Sequence, residues 1–160
     1  MVYLSQVYLL STKFIQDYPP DIYPELMHKQ GRPYACLLIE THNGYYICVP
    51  FRSSIRHKNA FLFKSTIRSQ RTKSGLDYSK IVIINNPDYI DSETTAIVDQ
   101  DEYNEMMTHL SQIVQDVVSY VDTYKNHITG VQRLHPKKFT RLYGFTTLAY
   151  FHKELEIDPV

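Results

Sequence analysis

A chain of 160 residues, 43% hydrophobic and 21% charged, suits one folded domain spanning residues 1–160 and excludes disorder as the default state. Its formal net charge of zero argues against a polyanionic partner unless the charges are segregated along the chain. No apolar run reaches the roughly 20 residues that cross a bilayer, which excludes a membrane-spanning helix.

Val2 to Leu10, rich in Val, Tyr and Leu, predicts a first strand. Ser11 is placed to cap a short helix through Phe14, Ile15 and Tyr18, which Pro19-Pro20 stops. Met1 to Gln6 lacks the basic segment and long apolar run of a secretory leader, so Cys36 and Cys48 are expected as reduced, buried thiols of a cytoplasmic protein. Asp21 to Gly31 reads as a loop with one helical turn at Pro24 to Met27, delivering His28, Lys29 and Arg32 to the next strand. Pro33 to Thr41 and Tyr45 to Phe51 are apolar runs separated by His42-Asn43-Gly44, and Asn-Gly predicts a hairpin with a type I′ turn. Antiparallel pairing then puts Arg32 and Tyr34 beside Phe51 to Ser53.

Ala60 to Lys64 predicts a short strand, and Ser65 to Gly75, basic and without apolar periodicity, predicts a loop that is mobile without a ligand. Ile81-Val82-Ile83-Ile84 marks a central strand within Asp77 to Asn85, and Thr94 to Val98 a weaker one. From Asp101 the period changes. Tyr103, Met107, Leu110, Val114, Val117, Val121 and Tyr124 form one apolar stripe on a long helix, with Asp99 and Glu102 as a capping box. Val131 to Tyr143 predicts a loop and short helix, and Thr146 to Leu155 a final amphipathic helix. The expected class is α+β, a mainly antiparallel sheet of five to six strands flanked by helices.

Charge is unevenly distributed. Phe51 to Lys80 holds Arg52, Arg56, Lys58, Lys64, Arg68, Arg71, Lys73 and Lys80 against one acid, Asp77. Asp88 to Glu105 holds seven acids and no Lys or Arg, and a second basic block follows at Lys125, Arg133, Lys137, Lys138 and Arg141. Two readings stand equal: one basic face offered to a polyanion with an acidic face elsewhere, or solvated loops with unrelated charge runs.

The densest chemistry follows the strand ending at Pro50, where Arg52, Ser53, Ser54, Arg56, His57 and Lys58 come within seven residues. The seven His are scattered, no His-Glu-X-X-His or Cys-X-X-Cys spacing occurs, and the basic stretch offers the single acid Asp77 where a hard cation would need several, so neither a metal nor a cofactor is expected. Gly-rich phosphate loops and Gly-X-Ser-X-Gly are also missing. What remains is metal-free RNA cleavage, in which a 2′-hydroxyl attacks its own phosphate and cationic donors stabilise the phosphorane. Arg52, Arg56 and Ser53 supply donors, and His57 is the candidate acid or base. Lys29, Arg32, Tyr34, Ser54, Lys58, Lys64, Arg68, Arg71 and Lys73 are expected to line the RNA groove. Each has a plainer reading alone: His57 as a polar loop residue, Ser53-Ser54 as turn formers, the arginines as surface ion pairs. Their concentration after one strand favours the chemical reading. The alternative is a non-catalytic nucleic-acid-binding regulator using the same basic face; a third is a protein-interaction module presenting the acidic stretch.

The segments Arg32-Pro33-Tyr34, Asn43-Gly44, Pro50-Phe51-Arg52-Ser53-Ser54 with His57, Gly75-Leu76-Asp77-Tyr78 and Tyr150-Phe151-His152-Lys153-Glu154-Leu155 resemble the ribonuclease toxins of type III toxin–antitoxin systems, the ToxN/AbiQ/TenpN group, most closely in the manner of TenpN. The resemblance spans most of the chain. It implies a twisted antiparallel sheet related to the MazF-like RNases, metal-independent endoribonuclease activity leaving a 2′,3′-cyclic phosphate, and inhibition by a repeated, pseudoknotted antitoxin RNA that the toxin processes. It also implies closed assemblies alternating protein and RNA. In the ToxN branch a Thr-Ser pair followed by a Lys sits after the Pro ending this strand; here Arg52 takes the Thr place, Ser53 matches the Ser and Arg56 replaces the Lys. The Lys near the start of the preceding strand has no strict match, with Arg32 or Lys29 standing in.

Overall fold

The computed structural model describes residues 5–26 and 35–158. Within them the chain forms an α+β fold with an open, wholly antiparallel sheet of seven strands and four α-helices. Strands β1 (Ser5–Leu10), β2 (Ala35–Glu40) and β3 (Tyr46–Arg52) make a meander. The two inner ones are apolar without alternation, and their central residues are buried on both faces. Cys36 and Cys48 are free, buried thiols in this pair, and burial with a neighbouring thiol holds that of Cys48 well above its ordinary range.

β3 is the strand on which the sheet turns. One edge pairs with β2, while the other is shared between two short strands, β6 (Val82–Ile84) along Tyr46–Cys48 and β5 (Gly75–Asp77) along Phe51 and Arg52. Sequence predicts one strand over Asp77 to Asn85; a 3-10 turn at Tyr78–Lys80 divides it, because Asp77 accepts the Ser79 amide and ends the extended run. Strand β4 (Ala60–Leu62) pairs with β5 at one sheet edge and β7 (Ile90–Asp91) with β1 at the other. The expected strand at Thr94 to Val98 is absent, and the short β7 precedes it.

Gly75 is fixed by close approach: a Cβ there would lie 1.9 Å from the carbonyl oxygen of Phe61. At the β2–β3 connection only Gly44 has positive φ (84°), so the expected type I′ turn, which needs Asn43 there too, is replaced by a three-residue loop. Thr41 holds it, its hydroxyl donating to Tyr45 O at 2.7 Å and accepting from Asn43 N–H.

Helix α1 (Thr12–Asp17) is capped by Ser11 as its sequence predicts, with the Phe14 amide donating to the hydroxyl. The single long helix is instead two, α2 (Gln100–Thr108) and α3 (Leu110–Ile128), broken at His109 (φ −110°, ψ 18°) after Thr108 donates its hydroxyl back to Asn104 O. The break rotates the buried face. α3 buries Ile113, Val117, Tyr120, Val121 and Tyr124, but α2 buries Glu102 and Met106 while Tyr103 and Met107 are exposed, a one-residue offset of about 100° around the helix. Asp99 makes no side-chain cap bond. Ile47 shares a small cleft with Val118 and Val121, so α3 covers the sheet face that carries Ile47.

Helix α4 (Pro136–Tyr143) forms where expected, whereas Thr146 to Leu155 gives a 3-10 turn at Thr147–Tyr150 and further turns rather than a regular helix. Leu148 and Phe151 are nevertheless buried, and the ring of Phe151 lies 5.5 Å from that of Tyr18, tying the end of the chain to α1. Among the described residues no helix is long and apolar enough to cross a membrane.

Candidate functional site

Because β3 and β5 pair antiparallel with Arg52 opposite Gly75, the side chain of Arg52 is carried to the edge where Asp77 leaves β5. The chain then doubles back. Ser54 takes a left-handed conformation (φ 55°), which costs a non-glycine residue about 1 kcal/mol or more and is found disproportionately at functional sites. Its amide donates to Thr72 Oγ1 at 3.1 Å, the two hydroxyls lie 3.2 Å apart, and the next residue, Ile55, is buried with its amide on Lys73 O. Ser53, Arg56 and Lys58 are left exposed on this anchored loop, and their side chains touch no polar partner among the described residues.

Asp77 is the hub. Its side chain is fully enclosed, yet it receives four donors: Arg52 Nη1 at 2.9 Å, the Ser79 amide at 2.9 Å, the Ser79 hydroxyl at 2.7 Å, and His57 Nε2 at 3.2–3.3 Å. A buried carboxylate is tolerable only when paired and hydrogen-bonded in this way. The tautomer of His57 follows. Nδ1 accepts from the Asn59 amide at 3.1 Å, so a neutral ring carries its proton on Nε2, between Asp77 and Ser79 Oγ. Both ring nitrogens therefore face protein groups in this arrangement.

Asp77, Ser79 and Asn59 were not among the candidates from sequence. Asp77 carried a signal, being the one acid within a stretch of eight cations and followed by Ser two residues on, an Asx-turn pattern. Asn59 carried none. Its side-chain amide donates to the carbonyls of Arg141 and Leu142, both at 3.2 Å, and so brings the last turn of α4, from the second basic block, against the loop.

The remaining candidates divide. Arg71 and Lys73 are exposed on the segment that anchors the loop, and the Lys64 side chain is exposed. Arg68 is ion-paired within the chain, with Asp99 at 3.0 Å and with Glu102 at 3.7 Å. Lys80, counted in the basic stretch, is buried with Nζ on Glu25 at 2.8 Å and on Phe145 O at 3.0 Å. Lys29, Arg32 and Tyr34 lie outside the described residues.

The expected mobile loop is instead braced by the acidic stretch. Glu105 accepts the Lys64 amide and the Ser65 amide and hydroxyl, and Asp101 accepts the Ile67 amide. Although burial alone would raise the carboxyl of Glu105, these hydrogen bonds hold it below its ordinary value; Glu102, with burial as the larger influence and Arg68 opposing it, lies above. The two charge runs thus meet at α2 rather than occupying separate faces. Four of the seven acids between Asp88 and Glu105 bind the basic segment of the same chain. No family model, curated protein or solved structure matches the chain. Function therefore rests on the chemistry of these side chains. Among the described residues no three His, Cys, Asp or Glu side chains are grouped so as to hold a metal ion.

Proposed function

We propose that this protein is a metal-independent endoribonuclease, and that it acts as the toxin of a type III toxin–antitoxin system with a ToxN-like or MazF-like fold. The observation that carries the reading is the enclosed Asp77 carboxylate fixing Arg52 at the end of β3, immediately before the exposed Ser53, which has no polar partner among the described residues, and in the same loop as exposed Arg56 and Lys58. A cation held in place at a rim suits a phosphodiester, because it needs little reorganisation as charge develops, and the exposed Ser53 hydroxyl and neighbouring cations are open to the same phosphate.

In the reaction the 2′-hydroxyl loses its proton, its oxygen bonds to phosphorus, and the P–O5′ bond breaks as the 5′-oxygen takes up a proton. The products are a 2′,3′-cyclic phosphate and a 5′-hydroxyl. We assign Arg52 and Ser53 to the phosphorane oxygens and Arg56 and Lys58 to the flanking phosphates. The resemblance in Pro50-Phe51-Arg52-Ser53-Ser54 supports the further assignment of a pseudoknotted antitoxin RNA bound in closed assemblies on the same face.

One observation favours a second reading, a nucleic-acid binder without catalysis: both nitrogens of His57 are held inward. Incubation of a labelled RNA with the purified protein in EDTA separates the two. The first reading expects fragments ending in a 2′,3′-cyclic phosphate; salt-sensitive retention of intact RNA establishes the second and overturns the first.

A further inference from the structure

Phe145 is exposed to 75%, and among the described Phe and Tyr residues only Tyr103, at 38%, is also exposed. The backbone that carries the ring is anchored. The carbonyl of Phe145 accepts from buried Lys80, the amide of Thr146 donates to Tyr143 O, and the hydroxyl of Thr147 donates to Ser79 O and Ile81 O. Ser79 is the residue that hydrogen-bonds Asp77 and His57, so the segment presenting Phe145 is bonded directly to the turn that builds the site. Asn59 makes a second connection from the active loop to Arg141 O, four residues before Phe145. Exposed Arg141, Lys137 and Lys138 lie on the helix that leads to the ring.

An exposed ring on an anchored backbone, just after a helix that carries exposed cations, suits the way single strands are held, with cations following phosphates and a ring stacking on a base. Building on the ribonuclease reading, we infer that Phe145 is a stacking platform for an unpaired base of the bound RNA. Phe carries no polar atom, so the contact tolerates every base. In a duplex each base face is already covered by its neighbours, which leaves the ring nothing to stack on.

The test uses the full chain and uncleavable, fluorescein-labelled 2′-O-methyl RNA, as A12 and U12 single strands and as their duplex, read by anisotropy. Wild type is expected to prefer the single strands. Phe145→Ala should weaken single-strand binding by about tenfold with duplex binding unchanged, and Phe145→Trp should restore it. Lys137→Glu with Lys138→Glu should weaken both forms together. Equal single-strand binding by wild type and Phe145→Ala overturns the platform while leaving RNA binding in place, and so does a wild-type preference for duplex. No retention of any RNA by wild type at moderate salt overturns both the platform and the ribonuclease reading.

Discussion

The carboxylate of Asp77 lies 2.9 Å from the guanidinium of Arg52, across a strand pairing in which Arg52 stands opposite Gly75. Asp77 has no exposed side-chain surface and Arg52 retains 24%, so the pair is anchored at one end and open to solvent at the other. Asp77→Asn keeps the volume and removes the charge that holds Arg52. A fully buried pair broken on one side loses about 3–5 kcal/mol; with Arg52 partly solvated we expect about 2–3 kcal/mol in urea denaturation. A loss under about 1 kcal/mol would show that Asp77 is not the anchor.

Arg52→Ala strips a partner from the same enclosed carboxylate, so lost activity in that variant mixes chemistry with folding. Ser53→Ala is the cleaner probe. The exposed hydroxyl has no polar partner among the described residues, so stability should change by less than about 0.5 kcal/mol while RNA cleavage falls about 100-fold. Retained cleavage and growth arrest at equal expression would remove Ser53 from the mechanism. Ser54→Ala should behave in the opposite sense, losing about 1 kcal/mol with its Thr72 contact.

Gly75→Ala tests the strand arrangement that sets the site. The added methyl meets the backbone carbonyl of Phe61, which cannot rotate aside, so β4 and β5 must separate. We expect a loss of about 3 kcal/mol in chemical denaturation. A near-neutral result would refute the close β4–β5 approach.

Glu105 makes the Lys64–Arg68 segment sensitive to acid. Its folded value is depressed, so its stabilisation is fully present above the ordinary 4.5 and is lost as pH falls through the lower folded value. Amide hydrogen exchange should therefore show Lys64 and Ser65 losing protection in that window. Glu105→Ala should remove the protection at neutral pH, at a cost of about 1–2 kcal/mol, since the carboxylate is only partly buried. Unchanged exchange in the variant would show that something else braces the loop.

Elements governed by local chemistry were legible. Ser11 caps α1, Pro136 opens α4, and the apolar runs flanking His42-Asn43-Gly44 pair as a hairpin. Elements whose outcome depends on partners distant in sequence were not. The heptad-like stripe from Tyr103 to Tyr124 contains no mark of the break at His109, and the acidic residues of α2 gave no sign that they would bind the segment from Lys64 to Arg68.

By itself the sequence determined the α+β class, the β2–β3 hairpin and the concentration of Arg52, Ser53, Arg56, His57 and Lys58 after one strand, because propensity and periodicity act within a few residues. Only the tertiary structure decided which of those side chains are held and which stay free. That choice is made by Asp77 and Ser79, brought to the loop by strand pairing, and by Asn59, which ties the loop to the end of α4, and a buried carboxylate takes whichever donors the fold puts within reach.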